Sequence, residues 1–203
     1  GVTNKEAAKQ VGINEPFYGN LYSRFSGSNI NILNSHNFHK PYAEPEICFR
    51  IKKDINISLA PFNNDNIYDL FDGIFCAVEI VDFRFEKPIN KIGAYNLIAT
   101  NGASDYWIKN ENVYPLDIIN LENHEVKLLV NSNIQEVGNV NNVLNNPINA
   151  AIWLINVLAS KGEPMLKGQY ISTGSCTKAL ILKKGDKIKA DFDSLGFIEF
   201  EYN

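Results

Sequence analysis

The chain has 203 residues, of which 45% are hydrophobic and 21% charged, a composition typical of folded globular proteins rather than disordered ones. Its longest apolar run, around residues 150–159, is about half as long as a membrane-spanning helix requires. Lysines and acidic residues are interspersed at a net charge of −4, so no basic stripe predicts nucleic-acid binding, and the balance favours a soluble protein that handles a small molecule.

Residue patterns in the first half of the chain predict short elements separated by polar loops. In chain order these are a helix over 4–11, a turn at Pro16, a surface loop or irregular hairpin over 26–40, an extended segment over 42–52, a helix over 66–75 capped by Asn64 or Asp65, a strand over 77–85 and a strand-like segment over 95–99. The turn is expected because the ring of Pro16 disfavours helix at the residue before it. The strand over 77–85 is rich in Val, Ile and Phe, which favour extended structure.

The second half contains the clearest helix. It begins at Pro147, whose missing N–H costs nothing in a first turn, and ends near Gly162. A stripe at helical spacing predicts its core-facing side, namely Ile148, Ala151, Ile152, Ile155 and Leu158. Beyond it we expect a strand over 169–173, a turn at 184–186, and a hairpin of alternating strands over 187–192 and 197–202. The whole predicts a strand-dominated α+β domain with helices on its outside.

The cysteines and the amino terminus bear on compartment and domain number. Cys48, Cys76 and Cys176 are widely spaced and form no CxxC pair, which argues against a disulfide framework or a zinc knuckle and favours the reducing cytosol. The chain starts at Gly1 without an export-signal pattern, as a processed or incomplete chain does. Since no repeat or long linker divides the sequence, we expect one domain over 1–203.

Two acidic residues share one face of the extended segment over 42–52. Side chains alternate along a strand, so Glu44 and Glu46 project on the same side, about 7 Å apart along the backbone. Cys48 and Arg50 continue this wetter face. The opposite face is predicted to be core and carries Pro45, Ile47, Phe49 and Ile51.

A third acid, Glu79, lies in the strand over 77–85 among apolar neighbours on its own face. A lone buried carboxylate is costly, and three acids that converge on one metal ion would remove that cost. Oxygen ligands without a His or Cys cluster favour a hard divalent ion, Mg²⁺ before Mn²⁺ or Ca²⁺. The alternative is an ordinary solvated face, which acids at alternate strand positions commonly form.

Other polar motifs also have two interpretations. Residues 171–177 and 101–104 carry small and hydroxyl residues that could approach a carboxylate, or they could form plain polar turns. No phosphate-binding glycine loop and no nucleophile elbow occurs in the sequence. We expect surface positions for His36, His39 and His124, a small buried thiol at Cys176, and core positions for Trp107 and Trp153.

Seven short motifs occur in an order that resembles a known enzyme family. They are EPFYG at 15–19, EPEICF at 44–49, VEIVDFR at 78–84, NGAS at 101–104, the segment 166–177, KGD at 184–186 and LG at 195–196. Together they resemble the 2-oxopent-4-enoate hydratase / 4-oxalocrotonate decarboxylase family of the fumarylacetoacetate-hydrolase superfamily. The matches are scattered from Gly1 to the carboxyl end.

This resemblance implies a fold and a metal. The fold would be a mixed β-roll of the fumarylacetoacetate-hydrolase C-terminal-domain type with flanking helices, assembled into homo-oligomers. The cofactor would be Mg²⁺, with Mn²⁺ as the alternative. The resemblance assigns Glu44, Glu46 and Glu79 as the metal ligands, in agreement with the residue pattern.

The resemblance also implies a substrate class and its contacts. Family members act on small 2-oxo acids from the catabolism of aromatic compounds, and the 2-oxo and carboxylate oxygens chelate the metal. Thr173 and Ser175 would hold the substrate carboxylate or a water, and Asn101 and Ser104 would shape the pocket wall.

Two departures from the family pattern leave the catalytic acid–base group unknown. Related enzymes carry a Lys two positions before the residue that matches Gly1, outside this sequence, together with a leading helical segment. Hydratases of the family also carry Asp where this chain has Phe17. We expect hydration of a 2-hydroxy-2,4-dienoate or 2-oxo-enoate to a 4-hydroxy-2-oxo acid. The alternatives are decarboxylation of a 2-oxo-3-enedioate, which Phe17 favours, and a non-catalytic protein that binds a 2-oxo acid.

Overall fold

A computed structural model describes residues 1–116 and 121–203, which form two mixed β-sheets and three α-helices. The helices are α1 (Lys5–Val11), α2 (Ile89–Ala99) and α3 (Pro147–Ser160). The strands are β1 (Ser26–Ser28), β2 (Ile32–Leu33), β3 (Pro41–Ile51), β4 (Phe71–Asp82), β5 (Ser104–Lys109), β6 (Glu125–Val130), β7 (Asn133–Asn139), β8 (Tyr170–Ser175), β9 (Leu180–Ile181), β10 (Asp186–Asp191) and β11 (Phe197–Tyr202). The predicted class, α+β with strands dominant, is confirmed. Within the described ranges, no helix is both long and apolar enough to cross a bilayer.

The first sheet has the order β1-β5-β4-β3-β8, with β9 also paired to β3, and the second has the order β2-β11-β10-β6-β7. Strands β1 and β2 pair in parallel with β5 and β11, and the other described pairs are antiparallel. Buried apolar residues from both sheets form one cluster, which is the main core. Ile47 and Phe49 of β3 belong to it together with Ile188 and Phe200 of the second sheet.

Strands β3 and β4 form the long central pair that carries the acidic residues. The prediction of an extended segment over 42–52 is confirmed by β3. Pro45 lacks an N–H, and a proline inside a sheet normally breaks a ladder bond. Here the Pro45 carbonyl accepts a hydrogen bond from Cys176 N (2.8 Å), at the gap between β8 and β9. The edge of Pro45 that carries its backbone N and O therefore does not face β4. The proline is therefore tolerated at the centre of the sheet.

Helix α3 confirms the predicted helix from Pro147, although it ends at Ser160, two residues before Gly162. The Asn146 side chain caps it by accepting from Ile148 N (3.0 Å), and Gly162 takes a left-handed φ of 76° just beyond the end. Its predicted inner face is buried at Ile148, Ala151 and Ile155 and half-buried at the other two positions. The helix contacts β3 and β8, which places it beside the acidic cluster.

The predicted helix over 66–75 is wrong. Only Tyr68–Leu70 forms a single 3₁₀ turn, and β4 begins at Phe71. Ile67, Leu70, Phe71 and Ile74 are spaced as on a helix, but all four are buried in the sheet-based core. A strand that is covered on both faces shows no alternation, so its pattern imitates a helix. The same strand ends at Asp82, three residues before the predicted end at residue 85.

Two other segments differ from their predicted structure. Residues 95–99 are not a strand but the end of α2, whose buried Ile92 and Leu97 pack in a small cluster with Val11 of α1. Residues 26–40 are neither a free loop nor a hairpin, because β1 and β2 join different sheets as edge strands. These pairings connect residues that are distant in sequence, which local pattern does not reveal.

The carboxyl-terminal hairpin is confirmed by β10 and β11, which pair from Asp186 with Tyr202 to Asp191 with Phe197. The strand predicted over 169–173 is confirmed by β8. A second hairpin, β6 and β7, was not predicted. Asn131 and Ser132 connect these strands with φ values of 50° and 69°, a left-handed turn that suits Asn.

Candidate metal centre

Three glutamates from two adjacent strands meet at one point. Glu44 lies directly opposite Glu79 in the β3–β4 register, and Glu46 lies two residues further along β3 on the same face. One carboxylate oxygen from each lies within 4.8 Å of the others. Glu46 and Glu79 are buried at 2% and 4% exposure, and Glu44 is half-buried. The structure thus brings together the three acids that the sequence singles out.

The cluster concentrates negative charge where water is scarce. Desolvation by burial, followed by the charge of Glu79, raises the pKa of Glu46 to about 8. The same two causes raise the pKa of Glu44 to about 7. Among the described residues, no lysine or arginine forms an ion pair with any of the three. Three oxygen donors that no described lysine or arginine neutralises are a donor set that fits a hard divalent cation.

Strand β8 supplies hydrogen bonds that orient Glu46. Ser172 Oγ and Gly174 N both donate to Glu46 Oε2, the second at 3.1 Å. Trp107 Nε1 donates in turn to Ser172 Oγ (3.1 Å). Gly174 has φ 113°, and a Cβ at this position would collide with the Thr3 hydroxyl, so the site requires glycine here. Among the described residues, none donates a hydrogen bond to the other oxygen of Glu46, which can therefore face a ligand.

The cluster opens into a cavity of ≈ 700 Å³. Its walls include Glu46 and Glu79, the aromatic side chains of Phe17, Tyr18, Trp107, Trp153 and Tyr170, and Lys109. The predicted core position is confirmed for Trp107, which is 3% exposed, whereas Trp153 is half-buried in the cavity wall. A concave space with aromatic walls and a few charged groups is the usual form of a small-molecule site.

The two hydroxyl residues predicted to bind substrate are already engaged with the backbone. Thr173 lines the cavity, but its Oγ1 donates to Ile47 O (2.8 Å). Ser175 Oγ donates to Thr177 O (3.0 Å). Because alternate residues of β8 face opposite sides, Ser172 is the hydroxyl that faces Glu46. Ser172 is not among the substrate-binding residues predicted from the sequence, although strand alternation from Tyr170 would have identified it.

Asn101, predicted to shape the pocket wall, holds the chain near residue 20. Its side chain donates to Asn20 O (2.8 Å) and accepts from Asn20 N (3.1 Å). Asn20 lines the cavity, so Asn101 supports the cavity wall indirectly, by holding Asn20 in place. Ser104 begins β5 and is half-buried. Phe17 faces the cavity, while its carbonyl accepts from Val2 N (3.1 Å).

The interpretation of the other reactive residue types changes at two positions, His124 and Cys48. His124, which immediately precedes β6, is not on the surface but is buried, with its Nε2 2.7 Å from Phe192 O. His36 and His39 are exposed as predicted. Cys176 is fully buried, and burial raises the pKa of its thiol, which confirms the small buried thiol. Cys48, expected on a wetter face, is also fully buried because it belongs to a small buried cluster with Phe75, Ala77 and Trp107.

Comparison with solved structures supports the predicted fold. The chain resembles the solved 4-oxalocrotonate decarboxylase of Pseudomonas putida G7 complexed with magnesium and adipate, with a TM-score of 0.87 and 25% identity over 99% of this chain and 75% of that one. Further structural neighbours are members of the fumarylacetoacetate-hydrolase superfamily, which confirms the predicted fold type. No protein-family model matches the chain.

Relatives in sequence carry both activities of the resembled family. A 4-oxalocrotonate decarboxylase of Pseudomonas putida is 26% identical over 100% of this chain and 75% of its own length. A 2-keto-4-pentenoate hydratase of Dechloromonas aromatica is 24% identical over 97% of this chain and 73% of its own length. The predicted resemblance is thus confirmed along the whole chain.

Proposed function

We propose that this protein is a Mg²⁺-dependent lyase that hydrates a 2-oxo-enoate or its dienol to a 4-hydroxy-2-oxo acid within one catalytic domain. The observation that carries the proposal is the cluster of Glu44, Glu46 and Glu79 at the end of an aromatic-walled cavity. The relatives named above are hydratases and decarboxylases, and one of them is complexed with magnesium. Mn²⁺ is the second candidate ion.

The three glutamates would hold the cation, and the residues around them would position the substrate. A bound divalent cation supplies the positive charge that stabilises negative charge developing on the 2-oxo group. Ser172 and Gly174 hold Glu46 by one oxygen and so fix the direction of the other. Trp107 and Phe17 line the cavity with apolar surface, which limits the access of bulk water. The carboxylate of a 2-oxo acid would thus lie beside the bound cation, whose positive charge would balance its negative charge.

Decarboxylation of a 2-oxo-3-enedioate is the second candidate because of Phe17. Its apolar ring lines the cavity where hydratases of the family carry Asp, and a phenyl ring neither accepts a proton nor orients water. A decarboxylase needs no added water. We therefore expect one of two distinct products from the same site.

The deciding assay uses two substrates with and without Mg²⁺. Conversion of 2-hydroxypenta-2,4-dienoate to a 4-hydroxy-2-oxo acid, followed by loss of dienol absorbance and by product analysis, would support hydration. Release of CO₂ from a 2-oxo-3-enedioate would support decarboxylation instead. Metal-dependent oxalate binding without turnover of either substrate would indicate a non-catalytic binding protein. If the protein turns over neither substrate and metal does not stabilise it, both the proposed activity and the proposed metal site are wrong.

Ser172→Ala tests the support of the metal cluster. Loss of the hydroxyl removes one donor to Glu46 and leaves Trp107 Nε1 without its acceptor. Changes in such outer hydrogen bonds typically cost 10- to 100-fold in metal affinity, and we expect a loss of that size. Titration calorimetry with Mg²⁺ measures it. Ser172→Thr keeps the hydroxyl and should recover most of the affinity, whereas equal losses in both variants would contradict the orienting role.

A further inference from the structure

Lys109 lies in the same cavity as the glutamates but not in their cluster. In the β4–β5 register, Trp107 is opposite Glu79 and Lys109 is opposite Ala77, so Lys109 shares the face of Glu79. From strand spacing and rise, its Cα lies about 8 Å from that of Glu79. Among the described residues that line the cavity, Lys109 is the only lysine or arginine. The cavity thus has an anionic end and a cationic group further along one wall.

Among the described residues, none is a counter-ion to the charge of Lys109. Its Nζ lies 5.4 Å from the centroid of the Tyr170 ring, which packs against Trp107 at 5.7 Å and Phe75 at 5.4 Å. The side chain is half-buried, and it forms no ion pair or hydrogen bond with any residue in the described ranges. A partly desolvated ammonium group on an aromatic floor is well suited to bind an anion.

Neighbouring charged groups do not take this role. Arg50, at the Tyr170 end of the sheet, is paired with Asp72 at 2.8 Å. Lys161 donates to the Tyr18 hydroxyl at 2.8 Å, and Glu163 is an exposed residue of the cavity wall. Lys109 is therefore the side-chain cation in the described part of this cavity that remains available to a ligand.

We propose that Lys109 binds the far carboxylate of a 2-oxo dicarboxylic acid whose 2-oxo end lies at the three glutamates. The inference rests on the proposed function, since it concerns the other end of the same substrate. A cavity of ≈ 700 Å³ has room for the longer diacid. The favoured substrates are then 2-oxo-enedioates, for hydration or for decarboxylation, rather than monoacids with an apolar tail.

The test compares two unreactive probes of equal carbon number, 2-oxoadipate and 2-oxohexanoate, by calorimetry with Mg²⁺-saturated protein. One charge-assisted contact predicts that wild-type protein binds the diacid roughly 10- to 100-fold more tightly. Lys109→Met should bring diacid affinity down to about that of the monoacid, and Lys109→Arg should restore part of the difference. Lys53→Met, which removes an exposed lysine with the same change of net charge, is the matched control and should keep the wild-type ratio.

The outcomes separate this inference from the proposed function. Equal affinities of the two probes in wild-type protein, or an unchanged ratio in Lys109→Met, would overturn the Lys109 subsite while leaving the metal site intact. Failure of both probes to bind even with Mg²⁺ would overturn the subsite and the proposed function together. Circular dichroism confirms that each variant is folded before its affinities are compared.

Discussion

Glu46→Gln is expected to weaken Mg²⁺ binding by more than about 100-fold and to abolish metal-dependent turnover. Glu46 is buried and lies between Glu79 and the donors from β8, so the amide removes the charge and a ligand oxygen at the centre of the cluster. Altering only a hydrogen-bonded neighbour of a ligand already costs 10- to 100-fold in affinity, and loss of the ligand itself should cost more. Titration of Mg²⁺ into metal-free protein measures the change.

Glu86→Gln is the matched control for this variant. Glu86 is an exposed carboxylate shortly after β4, and the chemical change is the same. We expect its metal affinity to equal that of the wild type. Glu46→Gln should still fold, because it removes a buried charge that two other carboxylates repel. Wild-type affinity in both variants would show that the glutamate cluster does not hold the cation.

The sequence predicted those parts of the fold that local pattern determines. Helix α3 was recognised because Pro147 and a stripe of apolar residues define it without reference to the rest of the chain. Strands β10 and β11 were recognised because they alternate around a short turn. Helix α2 and the edge strands β1 and β2 were missed because distant partners determine them, as the pairing of β1 with β5 illustrates.

The candidate site follows the same division. Glu44 and Glu46 were found because strand alternation alone puts them on one face, and Glu79 because an acid among apolar residues needs a partner. Their convergence depends on the β3–β4 register, which cannot be read from the sequence. Lys109 could not have been found at all, since its place in the cavity depends on the register of β5 against β4. Roles that depend on pairing require the three-dimensional structure.

Metal-free protein is expected to lose stability as the pH rises from 5 to 8. The pKa of Glu46 is raised to about 8 and that of Glu44 to about 7, chiefly by burial. Between the ordinary value of 4.5 and these values, the folded chain binds protons that the unfolded chain has released, so the free energy of unfolding falls with pH. The stabilising protonation is complete below pH 4.5 and lost above about pH 8. The expected change is on the order of a few kcal/mol, measured by urea denaturation in the presence of a chelator.

Two comparisons attribute this pH dependence to the carboxylate cluster. In Glu46→Gln the side chain at position 46 no longer titrates, so the stability of this variant should fall less between pH 5 and 8. The stability of Glu86→Gln should follow that of the wild type. Titratable groups elsewhere in the chain contribute equally to all three proteins and cancel in the difference. Excess Mg²⁺ should restore wild-type stability at pH 8, because a cation that binds the ionised cluster in the folded state stabilises it by mass action. A wild-type protein with the same slope as Glu46→Gln, and with no response to Mg²⁺ at pH 8, would place the three carboxylates in a solvated surface rather than a metal site.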